Sequence, residues 1–427
     1  MREAKLGAMR TSAKKVPKKY CAIRKPFLLC IWICQDTALG TSLDAAVGSH
    51  RAVTGHPEGR LAVRIGLAYN MRPEAPAESA GASLASPTAS GSTRALRYDL
   101  PQPDLYAEWD EPATIDAVER ALRPLGEVIR LEALADFPEK LKAARPDFVF
   151  NIAEGLYGPN REAHVPAICE FLGVPYSASD PLCLGLALHK GRAKEVLQYR
   201  GVPTAPFLMA RSVADARNCT LPFPLFAKPA FEGSGKGVSV KSLCATRKEL
   251  VKQVDYLLST YHEPVLVETY LPGAEFTVAI MGNGKDARCL PIVGMHFDEL
   301  PTGAPPIYGY EAKWIWDDPT DPLDIFECPA RVPARLATQI RAAALGAYHA
   351  LECRDWCRVD IRCDAEGTPN VVELNPLPGI LPDPRDNSCF PKAARAAGMS
   401  YDELLRTTAD IAWRRISGRS LLAEAAA

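Results

Sequence analysis

Three features that would set a sequence apart from ordinary soluble proteins are absent or weak in this one: a long apolar run, a large net charge and a regular cysteine pattern. It has no long apolar run: FLLCIWIC, near the N-terminus, is far too short to cross a membrane as a helix. Its formal net charge is only −1, which gives no electrostatic reason to expect nucleic acid or a membrane surface as a partner. Its 13 cysteines are scattered and include no Cys-x-x-Cys pair. In a chain of 427 residues this favours reduced thiols in a cytoplasmic protein over a disulfide framework.

One cysteine spacing raises the question of a zinc site. His349, Cys353 and Cys357 lie four residues apart. Cys357 falls in a strand-like run and does not continue the preceding helix, and no fourth ligand is near it in the sequence. The sequence therefore favours free thiols over zinc at these positions.

The first sixty residues differ from the rest of the chain. A basic stretch, KKVPKKYCAIRK, precedes the apolar run, as it does in a signal peptide. The cleavage region is indistinct, however, and the cysteine usage downstream does not indicate export. We interpret residues 1–60 as a disordered extension or as the result of a start site assigned too early, and we place the start of the compact protein near RLAVRIGLAYN.

The next segment alternates between strand-like and helix-like patterns. VRIGLAY, EVIRLE and DFVFNIAEG are short apolar runs, and apolar residues recur at helical spacing in the stretches between and after them. Such alternation predicts a parallel sheet covered by helices, with ligands beyond the carboxyl ends of the strands, which makes Glu154 a residue of interest. We predict an N-terminal α/β substrate domain at residues 61–186, with a mobile insertion rich in Ala, Ser, Pro and Gly at residues 72–95.

The remaining chain carries more strands than helices. FPLFAKPAFEGSGKGVSV predicts a strand, a glycine-rich loop and another strand, and PVLVETYLPGAEFTVAIMG predicts two strands joined by a Pro-Gly turn. A helix is expected from about Pro333 to Glu352, followed by a hairpin and a terminal helix in YDELLRTTADIAWRRIS.

The hairpin CRVDIRCDAEGTPNVVELN separates apolar from polar side chains. Alternate residues of a strand point to opposite faces, which places Val359, Ile361, Val372 and Leu374 towards the core and Arg358, Asp360, Glu373 and Asn375 on the other face. Pairing Asp360 opposite Glu373 brings two carboxylates and a carboxamide together, which is unfavourable unless a cation lies between them. Hard oxygen ligands suit magnesium. The alternative is a solvated polar face on an edge hairpin.

The stretch AKPAFEGSGKGVSV holds a glycine-rich loop shortly after Lys228. Backbone N–H groups of such a loop can turn towards a phosphate, and a lysine adds positive charge. The spacing is not that of a Walker loop, and glycine-rich hairpin turns are common. Together with a magnesium-type hairpin, the loop predicts a nucleoside triphosphate held between two sheets.

The ordered series HK, AKPAFEGSGKG, VETYLPGAEFTVAI, YGYEAKW, RVDIR and VELNPLPG resembles the ATP-grasp superfamily and, more narrowly, the D-alanine–D-alanine ligase family. The resemblance covers about Arg64 to Ser417. It implies an α/β fold with an N-terminal parallel-sheet (pre-ATP-grasp) domain followed by a two-part ATP-grasp α+β domain. We expect the central subdomain at residues 187–268 and the C-terminal catalytic subdomain at residues 269–417.

The resemblance also implies roles for single residues through the matching motif positions. For the phosphates of ATP, the resemblance implies Lys190 and Lys228, with Ser234 in the loop that closes over them and Lys313 near the γ-phosphate. For the nucleoside, it implies Glu268 and Leu271 at the adenine and Glu275 at the ribose. On the reaction side, the residues are Asp360, Glu373 and Asn375 for two Mg²⁺ ions (or Mn²⁺), Arg358 and the N–H of Gly379 for the oxyanion, and Ser388 for the second amino acid's carboxylate.

The implied reaction is the ATP-dependent joining of two amino acids through an acyl phosphate, with D-alanyl-D-alanine, a peptidoglycan precursor, as the leading product. Closure of the glycine-rich loop is expected to keep water from the acyl phosphate. A homodimer is usual for the family. The alternatives are a related ligase for another amino acid or carboxylate, and a non-catalytic ATP-binding scaffold.

Four features depart from the family pattern, and all lie on the amino-acid side. Glu154 stands where the family has histidine, and Trp314 stands where it has tyrosine. The loop after Gly379 is longer than usual, and the N-terminal glutamate motif is indistinct. We take Glu108 as the best candidate for binding the first substrate's ammonium group. ATP-dependent ligation is therefore better supported than D-alanine as the substrate.

Overall fold

The computed structural model describes residues 62–73, 106–298, 300, 306–307, 309, 323 and 325–426. The expected extension at residues 1–60 lies outside these ranges, as do Lys313, Trp314 and all but the first two residues of the expected insertion at 72–95. Within the ranges described, no helix combines the length and the apolar composition needed to cross a membrane.

The N-terminal part is a three-stranded parallel sheet with helices packed against it. Strand β1 lies between β2 and β3 and pairs with both in parallel, as the alternating pattern predicts. Ile65 and Leu67 of β1 are fully buried because helices cover this sheet. The elements are β1 (Arg64–Tyr69), α1 (Pro112–Leu122), β2 (Glu127–Glu132), α2 (Phe137–Ala144), β3 (Phe148–Asn151) and α3 (His164–Leu172).

The central part is a four-stranded antiparallel sheet with strand order β4-β7-β5-β6. A capping box of Thr246 and Glu249 starts its main helix, α7, whose apolar side packs on the sheet through Leu250, Val254 and Leu257. The elements are α4 (Pro181–Leu188), α5 (Lys190–Tyr199), β4 (Phe207–Ala210), α6 (Val213–Arg217), β5 (Leu225–Pro229), β6 (Leu243–Cys244), α7 (Arg247–Tyr261) and β7 (Val265–Thr269).

The C-terminal part is a six-stranded sheet with the order β11-β10-β8-β12-β13, and β9 pairs with β8. Its expected long helices are both present, as α8 and α10. The elements are β8 (Glu275–Met281), β9 (Arg288–Cys289), β10 (Val293–Met295), β11 (Phe326–Glu327), α8 (Ala334–Ala350), β12 (Trp356–Cys363), β13 (Pro369–Asn375), α9 (Cys389–Ala396), α10 (Tyr401–Ser417) and α11 (Leu421–Ala425).

One strand prediction in the middle of the chain was wrong. The GVSV stretch after the glycine-rich loop forms no strand, because Gly237 has a positive φ of 71° and Ser239 caps a short 3-10 helix. The two strands predicted in PVLVETYLPGAEFTVAIMG are present as β7 and β8, and they belong to different sheets. The Pro-Gly segment between them is a link between subdomains, and Gly273 there packs so closely on Cys363 that a side chain would collide with its backbone.

The predicted register of the β12–β13 hairpin is confirmed. Arg358 pairs with Asn375 and Asp360 pairs with Glu373. A β-bulge follows, so that Ile361 pairs with Val371. The prediction that Val372 faces the core was wrong: Val371 is fully buried in the core, and Val372 lines the cavity on the other face.

A buried carboxylate joins the N-terminal sheet to the C-terminal helices. Asp355 is fully buried and accepts hydrogen bonds from the backbone N–H of Ala178 (2.8 Å) and the amide of Asn283 (2.8 Å). The guanidinium of Arg415, on α10, lies 2.7 Å from the same carboxylate. Asp355 directly precedes Trp356, which lines the cavity.

Candidate active site

A cavity of about 660 Å³ lies between the central sheet, the C-terminal sheet and the loops of the N-terminal domain. Every site residue predicted from the sequence that lies in the described ranges lines it. Their roles stay predictions, whereas their proximity is a property of the structure. The residues are Glu108, Lys190, Lys228, Ser234, Glu268, Leu271, Glu275, Arg358, Asp360, Glu373, Asn375, Gly379 and Ser388.

The hairpin β12–β13 supplies the oxygen-rich part of the cavity. The carboxylate of Asp360 accepts hydrogen bonds from Arg358 (3.0 and 2.9 Å), from the hydroxyl of Thr277 (2.9 Å) and from the amide of Asn375 (3.1 Å). Glu373 lies 3.5 Å from the ammonium of Lys190. Burial alone raises the pKa of Glu373, but Lys190, Lys228 and Arg358 outweigh it and lower that pKa overall.

This donor set fits a hard divalent cation. Asp360 and Glu373 contribute carboxylate oxygens and Asn375 an amide oxygen, which are the ligands that magnesium takes. Among the described residues no cluster of three His, Cys, Asp or Glu side chains is arranged to hold a metal ion by itself. An ion held by two carboxylates and an amide, and completed by substrate phosphates, is consistent with both observations.

His349, Cys353 and Cys357, where the sequence favours free thiols over zinc, form no group of metal ligands in the described part of the chain. Cys353 and Cys357 are buried free thiols, and the sulfur of Cys353 lies 3.6 Å from that of Cys183.

Two lysines and a glutamate form a buried group at the edge of the central sheet. Glu268 ends β7 and lies 2.8 Å from the ammonium of Lys194 and 3.0 Å from that of Lys228. All three side chains are less than a tenth exposed. Burial raises the pKa of Glu268, but the two lysines outweigh it and lower the pKa to about 2. The group therefore carries one net positive charge and faces the cavity.

The far end of the cavity combines apolar and cationic groups. Glu275 is paired with Arg362 at 2.7 Å, and Arg362 also donates to the hydroxyl of Tyr270 (2.9 Å). Leu271 and Phe226 add apolar surface beside them. A flat aromatic base with a sugar attached suits this combination of an apolar wall and a polar rim.

The loop after β13 is tied together by a serine. The buried hydroxyl of Ser388 donates to the carbonyl of Gly379 (3.1 Å) and accepts from the N–H of Leu381 (3.2 Å). Ser388 thus fixes the path of the loop that brings Gly379 to the cavity beside Arg358.

The N-terminal end of the cavity is closed by an ion network around Glu108. Its carboxylate lies 2.8 Å from the guanidinium of Arg161 and 2.9 Å from the ammonium of Lys236, and it accepts a hydrogen bond from the N–H of Gly233 (2.9 Å). Burial raises the pKa of Glu108, but Arg161 and Lys236 outweigh it and lower the pKa to about 2. Glu108 is therefore ionised and fully engaged by protein groups.

Further carboxylates at the same end have no ion pair among the described residues. Glu154 follows β3, where its neighbour Gly155 is held by Asn70 and Trp109 at 2.8 Å each. Burial, followed by the charge of Glu162, raises the pKa of Glu154 well above its usual range. Burial also raises the pKa of Glu162 to about 7. Burial therefore favours the protonated form of both carboxyl groups.

Sequence reasoning missed several charged residues of the site. Arg161, Lys194, Lys236 and Arg362 each pair with a residue that a motif had already indicated. Lys236 stood inside the quoted glycine-rich loop, and its charge was a usable signal. Arg362 stood inside the quoted motif RVDIR, on the same face of the strand as Arg358 and Asp360, and was a usable signal as well. Arg161 and Lys194 gave no signal, because their partners are distant in sequence.

The sequence of this chain matches a known protein family. A family model described as "D-ala D-ala ligase C-terminus" matches residues 196–409, which is half of the 427 residues. The chain belongs to the D-alanine–D-alanine ligase family. Members of this family are ATP-dependent ligases that form a peptide bond, and this chain is an enzyme of that class.

Two relatives and one solved structure show how far the similarity to other members extends. Uncharacterized protein y4sG of Sinorhizobium fredii is 33% identical over 76% of this chain and 95% of its own length. A D-alanine–D-alanine ligase of Bordetella avium is 35% identical over 62% of this chain and 77% of its own length. The crystal structure of a Bacillus anthracis D-alanine–D-alanine ligase complexed with ATP is 24% identical, has a TM-score of 0.59, and covers 84% of this chain and 99% of its own length. This last likeness concerns the fold.

Proposed function

We propose that this ligase activates the carboxylate of one amino acid with Mg-ATP and joins it to the amine of a second, with D-alanyl-D-alanine as the leading product. The observation that carries the proposal is the β12–β13 hairpin. It presents Asp360, Glu373 and Asn375 to the same cavity as Lys190 and Lys228. Ligands for a metal and cations for phosphates are the two requirements of phosphoryl transfer from ATP.

The first step is transfer of the γ-phosphoryl group to the first substrate's carboxylate. Lys190 and Lys228 hold the phosphates, Glu268 and Leu271 face the adenine, and Glu275 faces the ribose. Asp360, Glu373 and Asn375 would hold Mg²⁺, which would neutralise charge on the transferring group. Lys313, outside the described residues, is proposed near the γ-phosphate. The protein's contribution to this step is positioning and charge compensation.

The second step is attack of the second amine on the acyl phosphate. The carbonyl carbon becomes tetrahedral, and negative charge develops on its oxygen. Arg358 and the N–H of Gly379 stabilise that oxyanion, and inorganic phosphate then leaves. Ser388 serves the second substrate's carboxylate at the start of α9, either directly or by holding the loop of Gly379.

The acidic N-terminal end supports a second candidate: a ligase of the same type whose first substrate carries an extra positive charge. Glu154 and Glu162 have no ion pair among the described residues, and they line the cavity near Glu108. A single ammonium group satisfies one carboxylate, whereas a basic side chain would satisfy the other. This favours testing lysine and ornithine beside alanine.

The test is phosphate release from Mg-ATP across a panel of D- and L-amino acids, with the dipeptide identified by mass. The panel includes alanine, serine, lysine and ornithine, alone and in pairs. Turnover with D-alanine alone supports the leading product, and turnover only with a basic first substrate supports the second candidate. ATP binding without amino-acid-dependent turnover contradicts both. We also propose a homodimer, which light scattering of the same sample checks.

A further inference from the structure

We infer that Glu108, Arg161 and Lys236 are positioning residues that fasten the glycine-rich loop to the N-terminal domain and so close the cavity over the reacting groups. The inference rests on the proposed function, because closure matters most where a water-sensitive intermediate forms. It gives Glu108 a role different from binding the substrate's ammonium group.

The three residues come from separate parts of the chain. Glu108 precedes α1, and Arg161 starts a short 3-10 helix before α3, so both belong to the N-terminal domain. Lys236 lies in the glycine-rich loop between β5 and β6 of the central subdomain. Their contacts therefore cross the boundary that the cavity occupies.

Four contacts of the group join the loop segment to the N-terminal domain. The carboxylate of Glu108 lies 2.9 Å from the ammonium of Lys236. It also accepts a hydrogen bond from the N–H of Gly233 at 2.9 Å. Arg161 donates to the carbonyl of Phe231 at 2.9 Å, just before the loop. Glu232 also contacts Lys236 and lies 3.6 Å from Arg161. The loop is thus held at its beginning and in its middle.

The network is buried and its charges balance. Arg161, Glu108 and Lys236 are 4%, 7% and 5% exposed, and Glu232 is 13% exposed. Two cations thus face two carboxylates in a place that excludes water. Because removal of one member of a buried ion pair leaves its partner uncompensated, each member is needed to hold the others.

The loop itself is shaped for this contact. A β-carbon at Gly233 would lie 2.3 Å from the Glu108 carboxylate, so glycine alone allows so close an approach. Ser234, Gly235 and Gly237 all have positive φ, which turns the loop so that Lys236 points towards Glu108. A loop fixed in this way excludes water from the acyl phosphate between its formation and the attack of the amine.

The test compares the full-length enzyme with Glu108→Gln, Lys236→Met and Lys236→Arg. The matched control is Lys241→Met, which removes the same charge from an exposed lysine a few residues away. Two quantities are measured: hydrogen exchange of the loop amides with Mg²⁺ and the β,γ-imido analogue of ATP, and the ratio of phosphate released to dipeptide formed. Thermal unfolding checks that each variant folds.

We expect Glu108→Gln and Lys236→Met to raise loop exchange by about tenfold or more, because each leaves a buried charge unpaired. Both should also raise the ratio of phosphate to dipeptide above that of the unmodified enzyme. Lys236→Arg keeps the positive charge, so its loop exchange and its ratio of phosphate to dipeptide should stay close to those of the unmodified enzyme. Lys241→Met should change neither quantity. If Glu108→Gln does not fold, the comparison of Lys236→Met with Lys236→Arg tests the inference by itself. Both variants should fold, because Lys236 lies outside helices and strands.

Two results would overturn the inference. One is a Glu108→Gln enzyme whose only change is a higher KM for the first amino acid, which would assign Glu108 to the substrate's ammonium. The other is loop exchange in both variants equal to that of the unmodified protein. If the unmodified enzyme shows no amino-acid-dependent phosphate release, the proposed function fails, and loop exchange with the ATP analogue still decides the inference.

Discussion

Replacing Glu268 by glutamine tests the reasoning about buried charge most directly. The change keeps the shape of the side chain and removes the only negative charge between Lys194 and Lys228 that the structure shows within 3.0 Å of them. The pKa of Glu268 falls from an ordinary 4.5 to about 2 in the folded protein. That difference corresponds to about 3.5 kcal/mol of stability at neutral pH, at about 1.4 kcal/mol per unit. Breaking a buried ion pair by removing one partner costs about 3–5 kcal/mol in general, so the two routes agree.

The assay should report on the central subdomain alone. Cys219 and Cys244 are buried in its core, so pulsed thiol labelling at increasing urea measures the unfolding of that part. We expect Glu268→Gln to lower its free energy of unfolding by about 3.5 kcal/mol. The matched control is Glu195→Gln, which breaks an exposed pair with Arg192 and should cost less than about 0.5 kcal/mol.

The pH dependence of the stability difference between the unmodified protein and Glu268→Gln tests this reasoning. Because the folded pKa of Glu268 is lowered, its contribution is complete above pH 4.5 and is lost as the pH falls from 4.5 towards 2. The gap in stability between the two proteins should therefore narrow in acid. A gap below about 1 kcal/mol at pH 7, or one independent of pH, would show that the lysines are not held by this carboxylate.

Three further predictions concern other parts of the site. Glu373→Gln should weaken Mg²⁺ binding, measured by calorimetry, and abolish most turnover, and it should lower the thermal stability far less, because the Glu373 side chain is 24% exposed; equal losses of stability and activity would contradict the assignment. Asp355→Asn should lower the free energy of unfolding by about 3–5 kcal/mol, because Arg415 would lose its buried partner; Asp255→Asn, at an exposed position of α7, serves as control. Burial raises the pKa of Glu162 from 4.5 to about 7, so stability should fall as the pH rises from 4.5 to 7. Glu162→Gln should remove that part of the fall, and an unchanged pH profile would contradict the assignment.

The hairpin was predictable because its information is local. The two-residue alternation of a strand fixes which face Asp360 and Glu373 share, and the length of the turn fixes their pairing. The bulge at Val372 was not predicted, because an apolar run has the same sequence pattern with or without a bulge. The motif series likewise placed its described residues around one cavity.

The ion networks were not predictable because their partners are far apart in the chain. Arg161 meets Glu108 across 53 residues, and Gly233 meets Glu108 across 125. A charged residue in an irregular segment gives no periodicity, so only the folded chain shows its partner.

The bulge in β13 determines where this hairpin can change its length. Removing one residue elsewhere in β13 between its pairing partners would exchange the two faces and turn Glu373 and Asn375 towards the core. Val372 is the exception: without it, Val371 and Glu373 become neighbours and keep their present partners, Ile361 and Asp360. On the side of the strand that lines the cavity, a change of odd length therefore keeps the register only at Val372, and changes elsewhere in the paired part of β13 must come in steps of two.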